Sequence, residues 1–251
     1  MPRRRLDTLL VERGLAASRD RARALILAGE VHVAGLAVPK AGALVADDAD
    51  VVVRVPDHPW VSRGGLKLAH ALEAFSVTVD GRDALDVGAS TGGFTDVLLA
   101  RGARSVVALD VGHGQLDWRL RHDPRVVVLE RTNARTLTSD RLPEGHRDFD
   151  VVTVDVSFIS LRLVLPPLVA LLRPGADLVV LVKPQFEAGR HEVGAGGIVR
   201  DPDVHRRVVD DIADVSRRLG LRVMASTPSP VTGADGNREF LLHLRGEGPC
   251  P

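Results

Sequence analysis

The chain has 251 residues, with 33 Lys+Arg balanced by 33 Asp+Glu, 45% hydrophobic residues and 26% charged ones. That composition is ordinary for a globular protein, and the length allows one large domain or a medium domain with a small accessory one. No apolar run approaches the roughly 20 residues needed to cross a bilayer, and the longest, residues 161–172, is broken by Pro166 and Pro167. The start does not read as a signal peptide, because Arg3, Arg4 and Arg5 lead into an amphipathic pattern containing Asp7, Glu12 and Arg13. The single cysteine, Cys250, leaves no internal disulfide. A channel and a secreted disulfide scaffold are disfavoured, and the cytoplasm is the expected location.

Residues 1–55 read as a small separate module. Leu6, Leu9 and Leu10 give one face of a first helix that stops at Gly14. Ser18 caps a second helix, with Ala22, Leu25 and Ile26 on its apolar face, Arg19, Arg21 and Arg23 on the other, and Gly29 at its end. Short strands are predicted at 31–33, 36–38 and 51–55. The first 30 residues carry seven arginines against four acids, so the zero net charge hides a local basic face. Residues 56–62, with Pro56, Pro59 and Trp60, form a stiff linker, and Trp60 is expected to pack at a domain boundary.

From 63 to 251 strand and helix alternate. Strands are predicted at 84–87, 105–110, 126–129, 149–155, 177–183, 221–226 and 239–244, with helices at 94–101, 114–121, 164–172 and 204–219. The last helix is clearest: Asp201 caps it, Pro202 opens it, Val204, Val208, Ile212, Val215 and Leu219 share a face, and Gly220 ends it. Continuously apolar strands such as 178–182 suit a parallel sheet covered on both faces. The turn-rich segment around Gly233 and Gly236 makes the last strand antiparallel. The expected class is α/β, a seven-stranded, mostly parallel, doubly wound Rossmann-like sheet preceded by the small α+β module.

The first strand of that sheet runs into Asp86, Gly88, Ala89, Ser90, Thr91, Gly92, Gly93 and Phe94. Glycines at a strand-to-helix turn admit a nucleotide close to the backbone. The spacing is neither the dinucleotide fingerprint nor a Walker loop. It is the D-x-G-x-x-x-G-G pattern common among S-adenosylmethionine (SAM) enzymes. Asp110, at the tip of the second strand, is placed for a ribose diol. The Asp-Pro-Pro-aromatic clamp of amino-group methyltransferases is missing, since Asp155 is followed by Val156, Ser157 and Phe158. Cys250, outside the core, does not fit pyrimidine carbon-5 methylation. Only three basic residues are lysine, namely Lys40, Lys67 and Lys183. Lys183 and Asp155 fall at carboxyl ends of neighbouring strands, where such sheets bind ligands; Glu239 reaches that edge only from an antiparallel strand.

Lys67, Asp155, Lys183 and Glu239 resemble the Lys-Asp-Lys-Glu tetrad of FtsJ-like ribose 2′-O-methyltransferases. The strings at 62–67, 86–94, 112–116, 131–133, 155–160, 183–187 and 236–239 resemble the TlyA (haemolysin-A-like) family. The N-terminal pattern at Arg5, Leu6, Asp7, Glu12, Gly14, Ser18, Arg19, Gly29, Gly35 and Lys40 resembles the S-four-type RNA-binding domain. The resemblance implies methylation of a cytidine ribose in ribosomal RNA, with ribosomal RNA or ribosomal subunits as partner. It implies SAM bound by Gly88, Ala89, Ser90, Thr91, Gly92, Gly93, Phe94, Asp110, Asn133 and Asp155. It further implies catalysis by the tetrad and phosphate contacts from Arg5, Arg19 and Lys40. In that family the place two before the tryptophan is usually basic; here it is His58.

An opposite charge about 4 Å from Lys183 is worth roughly 4 kcal/mol at an effective dielectric near 20. Lys183 is therefore expected to hold the hydroxyl as an ammonium, with a neutral lysine base as the competitor. His113, His191 and His205 lack metal-ligand spacing, so no metal is assigned. Phe158 and Phe186 are candidates for stacking on base or cofactor, and Asp7 is read as structural. A non-catalytic ribosome-binding factor and a pore former are the competing functional classes; the oligomeric state is left open.

Overall fold

A computed structural model describes residues 3–16, 18–27, 29–37, 40–53, 58–233 and 236–247. The first unit comprises β1 (Arg3–Arg5), α1 (Leu6–Glu12), α2 (Arg19–Leu27), β2 (Val31–Val33), β3 (Leu36–Ala37), β4 (Leu44–Ala46) and β5 (Val51–Val53). Leu6, Leu9 and Leu10 of α1 meet Ala22, Leu25 and Ile26 of α2 in one small core with Val31 and Val51. Gly14 and Gly29, at φ +70° and +76°, follow the two helices as predicted. β2 lies between β3 and β5, while β1 pairs antiparallel with β4. That last pair was not anticipated, because the three exposed arginines of β1 carry no alternating pattern. Val38, residues 54–55 and Pro56, which end two expected strands and open the linker, lie outside the described residues.

The larger unit runs α3 (Gly64–Ala74), β6 (Asp83–Val87), α4 (Gly93–Ala100), β7 (Ser105–Leu109), α5 (Trp118–Arg121), β8 (Val126–Leu129) and β9 (Phe149–Val154). It continues with α6 (Leu161–Val169), β10 (Leu172–Val182), α7 (Pro184–Glu187), α8 (Pro202–Arg218), β11 (Leu221–Pro228) and β12 (Phe240–Gly246). One seven-stranded sheet forms in the order β11-β12-β10-β9-β6-β7-β8. β10, β9, β6, β7 and β8 pair in parallel, and β12 runs antiparallel to both β10 and β11. Alternate side chains serve opposite faces. Leu85, Val87, Val152 and Val154 pack with α6 and α8, whereas Ala84, Val106 and Val151 pack with α3 and α4.

Local differences from the predicted elements have physical causes. The helix expected over 114–121 contracts to α5, because Gly114 adopts φ +68° and the extended Asp117 caps the helix by accepting the Arg119 N–H. The proline-containing helix starts at Leu161, where Ser160 caps it. β10 begins at Leu172, but its pairing with β9 is irregular between Leu172 and Asp177, across Pro174 and Gly175. α3 was not predicted, since its opening glycines hide the short apolar face of Leu68, Ala71 and Leu72. Trp60 packs on its first turn: a Cβ on Gly65 would fall 2.3 Å from the Trp60 Cγ.

Candidate active site

Beyond β6 the chain turns through Gly88 at φ +87° and Gly92 at φ +98°. A Cβ on Gly88 would lie 2.2 Å from the Asp155 carbonyl oxygen, and one on Gly92 would lie 2.2 Å from Leu120 Cδ1. Conformation and space both demand glycine. Between them Ser90 donates its N–H to Asp110 Oδ2 at 2.8 Å, while Gly112 N–H donates to Oδ1 at 2.6 Å. These bonds fix the carboxylate at the tip of β7 and leave each oxygen a lone pair. Asn133 accepts the Arg135 N–H through Oδ1 at 3.0 Å, so its NH2 group is not spent on that cap. Below the turn Asp86 is fully buried and accepts Thr95 Oγ1 at 2.7 Å and Thr153 Oγ1 at 3.0 Å. Burial pushes its carboxyl up to about 7.

Two adjoining cavities open at this rim. One, of about 520 Å³, is lined by Asp110, Val111 and Asn133 among others. The second, of about 490 Å³, is lined by Lys67, Lys183, Glu239 and Phe94 among others. They share Gly88, Ser90, Gln115, Asp155, Ser157 and Phe158. Ala89, Thr91 and Gly93 face the second cavity, whereas Gly92 lines neither and serves the turn alone. A nucleoside-sized chamber ending in a fixed carboxylate, joined at a Cβ-free turn to a charged chamber, fits SAM.

Lys67 comes from α3, Asp155 follows β9, Lys183 follows β10 and Glu239 precedes β12. Lys67 Nζ donates to Glu239 Oε2 at 2.5 Å. Lys183 Nζ lies 2.6 Å from Asp155 Oδ1 and donates to Ser157 Oγ at 3.0 Å. The Lys183–Asp155 contact is an ion pair in which Asp155 Oδ1 is shut off from solvent. Both lysines and Glu239 are buried, and pairing is what makes burial of such charges tolerable. Glu239 reaches the rim because the antiparallel register sets Phe240 opposite Val182, one residue from Lys183.

Ser157, Gln185, Ser62, Arg63 and Thr232 also line the charged cavity, and none was singled out from the sequence. Ser157 lies inside the 155–160 string, which was the available signal. Glu187, in α7 after β10, ties down the segment that follows β9, accepting Ser160 Oγ at 2.6 Å and the Leu161 N–H at 2.7 Å; burial raises its pKa. Phe158 is 91% exposed at the lip, with φ +63°, and its ring lies 5.2 Å from that of Phe186.

In the small unit Asp7 is fully buried and gathers three guanidinium groups. Arg5 donates to it twice, at 3.0 and 2.8 Å, with Arg19 at 3.4 Å and Arg23 at 3.5 Å. The Arg5 hydrogen bonds hold its carboxyl well below the usual range. Lys40 is exposed and opens the turn whose Gly42 would place a Cβ 3.3 Å from Arg5 Nη1. Arg5, Arg19 and Lys40 therefore share one region. Among the described residues no group of three or more potential ligands could hold a metal ion, and no helix is long and apolar enough to cross a membrane.

Residues 60–246 match the FtsJ-like methyltransferase family and residues 4–51 the S4 domain. A Mycobacterium tuberculosis protein named 16S/23S rRNA (cytidine-2'-O)-methyltransferase TlyA is 53% identical, over 97% of this chain and 90% of its own length. A solved structure from Streptococcus thermophilus, named as a hemolysin, is 41% identical with a TM-score of 0.76, covering 100% of this chain and 90% of that one. An S-adenosylmethionine dependent methyltransferase from Mesorhizobium loti, 17% identical with a TM-score of 0.53 over 70% of this chain and 96% of that one, shares the fold alone. The chain belongs to the FtsJ-like methyltransferases, in the TlyA family that carries an N-terminal S4 domain.

Proposed function

We propose that this protein methylates the ribose 2′-hydroxyl of a cytidine in ribosomal RNA, using SAM, in the cytoplasm. The carrying observation is the convergence of two lysine–carboxylate pairs beside the glycine turn. In this reading residues 1–55 dock the RNA, 56–62 link, and 63–251 perform the transfer. Arg5, Arg19 and Lys40 take phosphates, which positions the RNA with little sequence information.

Asp110 and Asn133 would hold the nucleoside part of SAM, and residues 88–94 with Asp155 its methionine end. When bound, SAM supplies a sulfonium-borne methyl group. The chain's own part follows from the ammonium of Lys183, which has three protons. One faces Asp155, one goes to Ser157 Oγ, and the third is left for the incoming 2′-oxygen. Lys183 thus holds the hydroxyl and stabilises the charge that develops on it, in a fixed polar setting that needs little reorganisation. Asp155 orients the ammonium, and the hydroxyl proton passes to bulk water as the methyl group is transferred. Lys67, fixed by Glu239, sets a second positive charge at the other wall of the chamber.

The test is to incubate ribosomal subunits from cells lacking this protein with SAM, and to map ribose methylation. At least one new 2′-O-methylcytidine is expected, and the absence of any would sink the reading. Lys183→Arg is predicted to lose at least about a hundredfold in transfer, because a planar fork cannot meet Asp155, Ser157 and the hydroxyl together. Wild-type turnover in that variant would show that a compact ammonium is not required.

A further inference from the structure

A second aromatic surface lies outside the two cavities. Trp118 opens α5 with 71% of its surface exposed, and its ring centre sits 4.5 Å from that of His122, tilted by 35°. His122 Nδ1 donates to the Trp118 carbonyl at 2.8 Å, which joins the two rings into one unit. Arg119, between them in sequence, is exposed and shares Asp117 with a second arginine. That second arginine is Arg21 of α2, whose Nη1 donates to Asp117 Oδ2 at 2.7 Å across the two units. The same helix carries Arg19 and Arg23, and its last residue, Leu27, lines the charged cavity. On its other side Asp117 gives its N–H to the Thr91 carbonyl in the glycine turn, at 3.1 Å. The Trp118–His122 pair therefore adjoins both the basic helix and the turn that shapes the site.

An exposed indole backed by a second ring offers a flat π-face, and the arginines beside it offer positive charge. Unpaired nucleic acid matches both, since each nucleotide carries a flat base and a phosphate. We propose that Trp118 and His122 form a stacking platform for an unpaired base of the RNA flanking the methylated nucleotide. Arg119 and Arg21 lie where the adjoining phosphates pass. The Arg21–Asp117 contact keeps the platform in register with the S4 unit. This inference rests on the proposed ribosomal RNA substrate, but it concerns binding and not the transfer step.

The protein has two tryptophans, Trp118 and Trp60, which packs on α3, so the platform's emission is the part that wild type has and Trp118→Phe lacks. The probes are a ten-nucleotide single-stranded RNA of mixed sequence and unmethylated ribosomal subunits. The oligonucleotide is expected to quench the wild-type emission saturably. Trp118→Phe should abolish that quenching while keeping affinity, because phenylalanine still stacks. Trp118→Ala should weaken binding to oligonucleotide and subunits about five- to a hundredfold, with SAM affinity and Tm unchanged. Three results would overturn the platform: undiminished RNA affinity in Trp118→Ala, quenching that persists in Trp118→Phe, or a parallel loss of SAM affinity. Weakened binding to subunits with unchanged binding to the oligonucleotide would mean a protein contact, and would also refute it. A wild-type protein that binds both probes through Trp118 yet transfers no methyl would sink the proposed reaction and leave the platform standing.

Discussion

Gly233 allows the tetrad to be perturbed without removing any member of it. A Cβ there would lie 2.5 Å from Glu239 Oε1 and 3.2 Å from its carboxyl carbon. The backbone is held by a hydrogen bond from Gly233 N–H to the Asn237 carbonyl at 2.9 Å, so the carboxylate must give way. A carbon–oxygen contact near 3.3 Å requires the carboxylate to withdraw by about 0.8 Å. Withdrawal along the Lys67 pair would lengthen that contact from its present 2.5 Å to about 3.3 Å. At an effective dielectric near 20, the attraction then falls from about 6.6 to about 5 kcal/mol. The difference, about 1.6 kcal/mol, measures how far Lys67 is loosened in the resting enzyme; a comparable loss of its hold on the charge developing at the 2′-oxygen corresponds to roughly tenfold in rate. Gly233→Ala should therefore lower single-turnover transfer from labelled SAM to ribosomal subunits about tenfold. SAM affinity should hold, and Tm should fall by about 3–6 °C, since about 1.6 kcal/mol is lost at roughly 2–4 °C per kcal/mol for a chain of this size. Transfer at the wild-type rate would refute the claim that the Lys67–Glu239 geometry matters to the reaction.

Gly88→Ala should destroy SAM binding in calorimetry and cost at least about 2 kcal/mol of stability, through left-handed strain and the clash with the Asp155 carbonyl; normal SAM affinity would contradict the placement of the cofactor. Asp86 keeps a proton when folded that the unfolded chain releases near pH 4, so its contribution to stability is full below that and is lost as pH rises to about 7. Wild-type stability should thus fall by about 2–3 kcal/mol between pH 5 and 7 on this account, and Asp86→Asn should flatten that slope in denaturant titrations; an unchanged slope would exclude Asp86 as its source. Asp7 is the opposite case: its depressed pKa contributes stability above about pH 4 that is lost as pH falls. Asp7→Asn should cost about 2 kcal/mol at neutral pH, weaken RNA binding as Arg5, Arg19 and Arg23 splay, and converge with wild type in acid; equal RNA affinity would show that the arginine cluster needs no anchor.

Much of this site was legible because glycine, lysine and acidic residues sit at strand ends, and strand ends are where apolar periodicity stops. Gly88, Asp110, Asp155 and Lys183 could all be placed from the strands that precede them. Lys67 could not: its helix opens with Gly64 and Gly65, which suppress the helical signal, and what requires Gly65 is Trp60 packed onto the backbone. Ser157 escaped notice because a hydroxyl is a common loop residue until a lysine from another strand is seen 3.0 Å away. Gly233 read only as a turn former, since its relation to Glu239 is one of space between side chain and backbone. The Arg21–Asp117 contact spans 96 positions between two units, a separation at which no periodicity operates.

The reversed strand explains how four charges so distant in sequence converge. In a wholly parallel sheet every strand delivers its last residues to the ligand rim and its first residues to the opposite one. β12 has seven residues, or roughly 23 Å of strand. Were it parallel to β10, Glu239 would lie that far from Lys183, beyond the reach of any side chain. Running backwards, β12 instead brings its entrance beside the exit of β10, and Glu239 arrives next to Lys67 with no intervening loop. Towards its other end β12 carries a second polar arrangement: His243 and Arg245 meet buried Asp177 of β10 at 2.9 and 3.3 Å. A single antiparallel strand thus adds an acid to the ligand rim at one end and an imidazole and a guanidinium against a buried aspartate at the other. That second set fixes the register on which the position of Glu239 depends, since a slip of one residue would turn its carboxylate to the other face of the sheet.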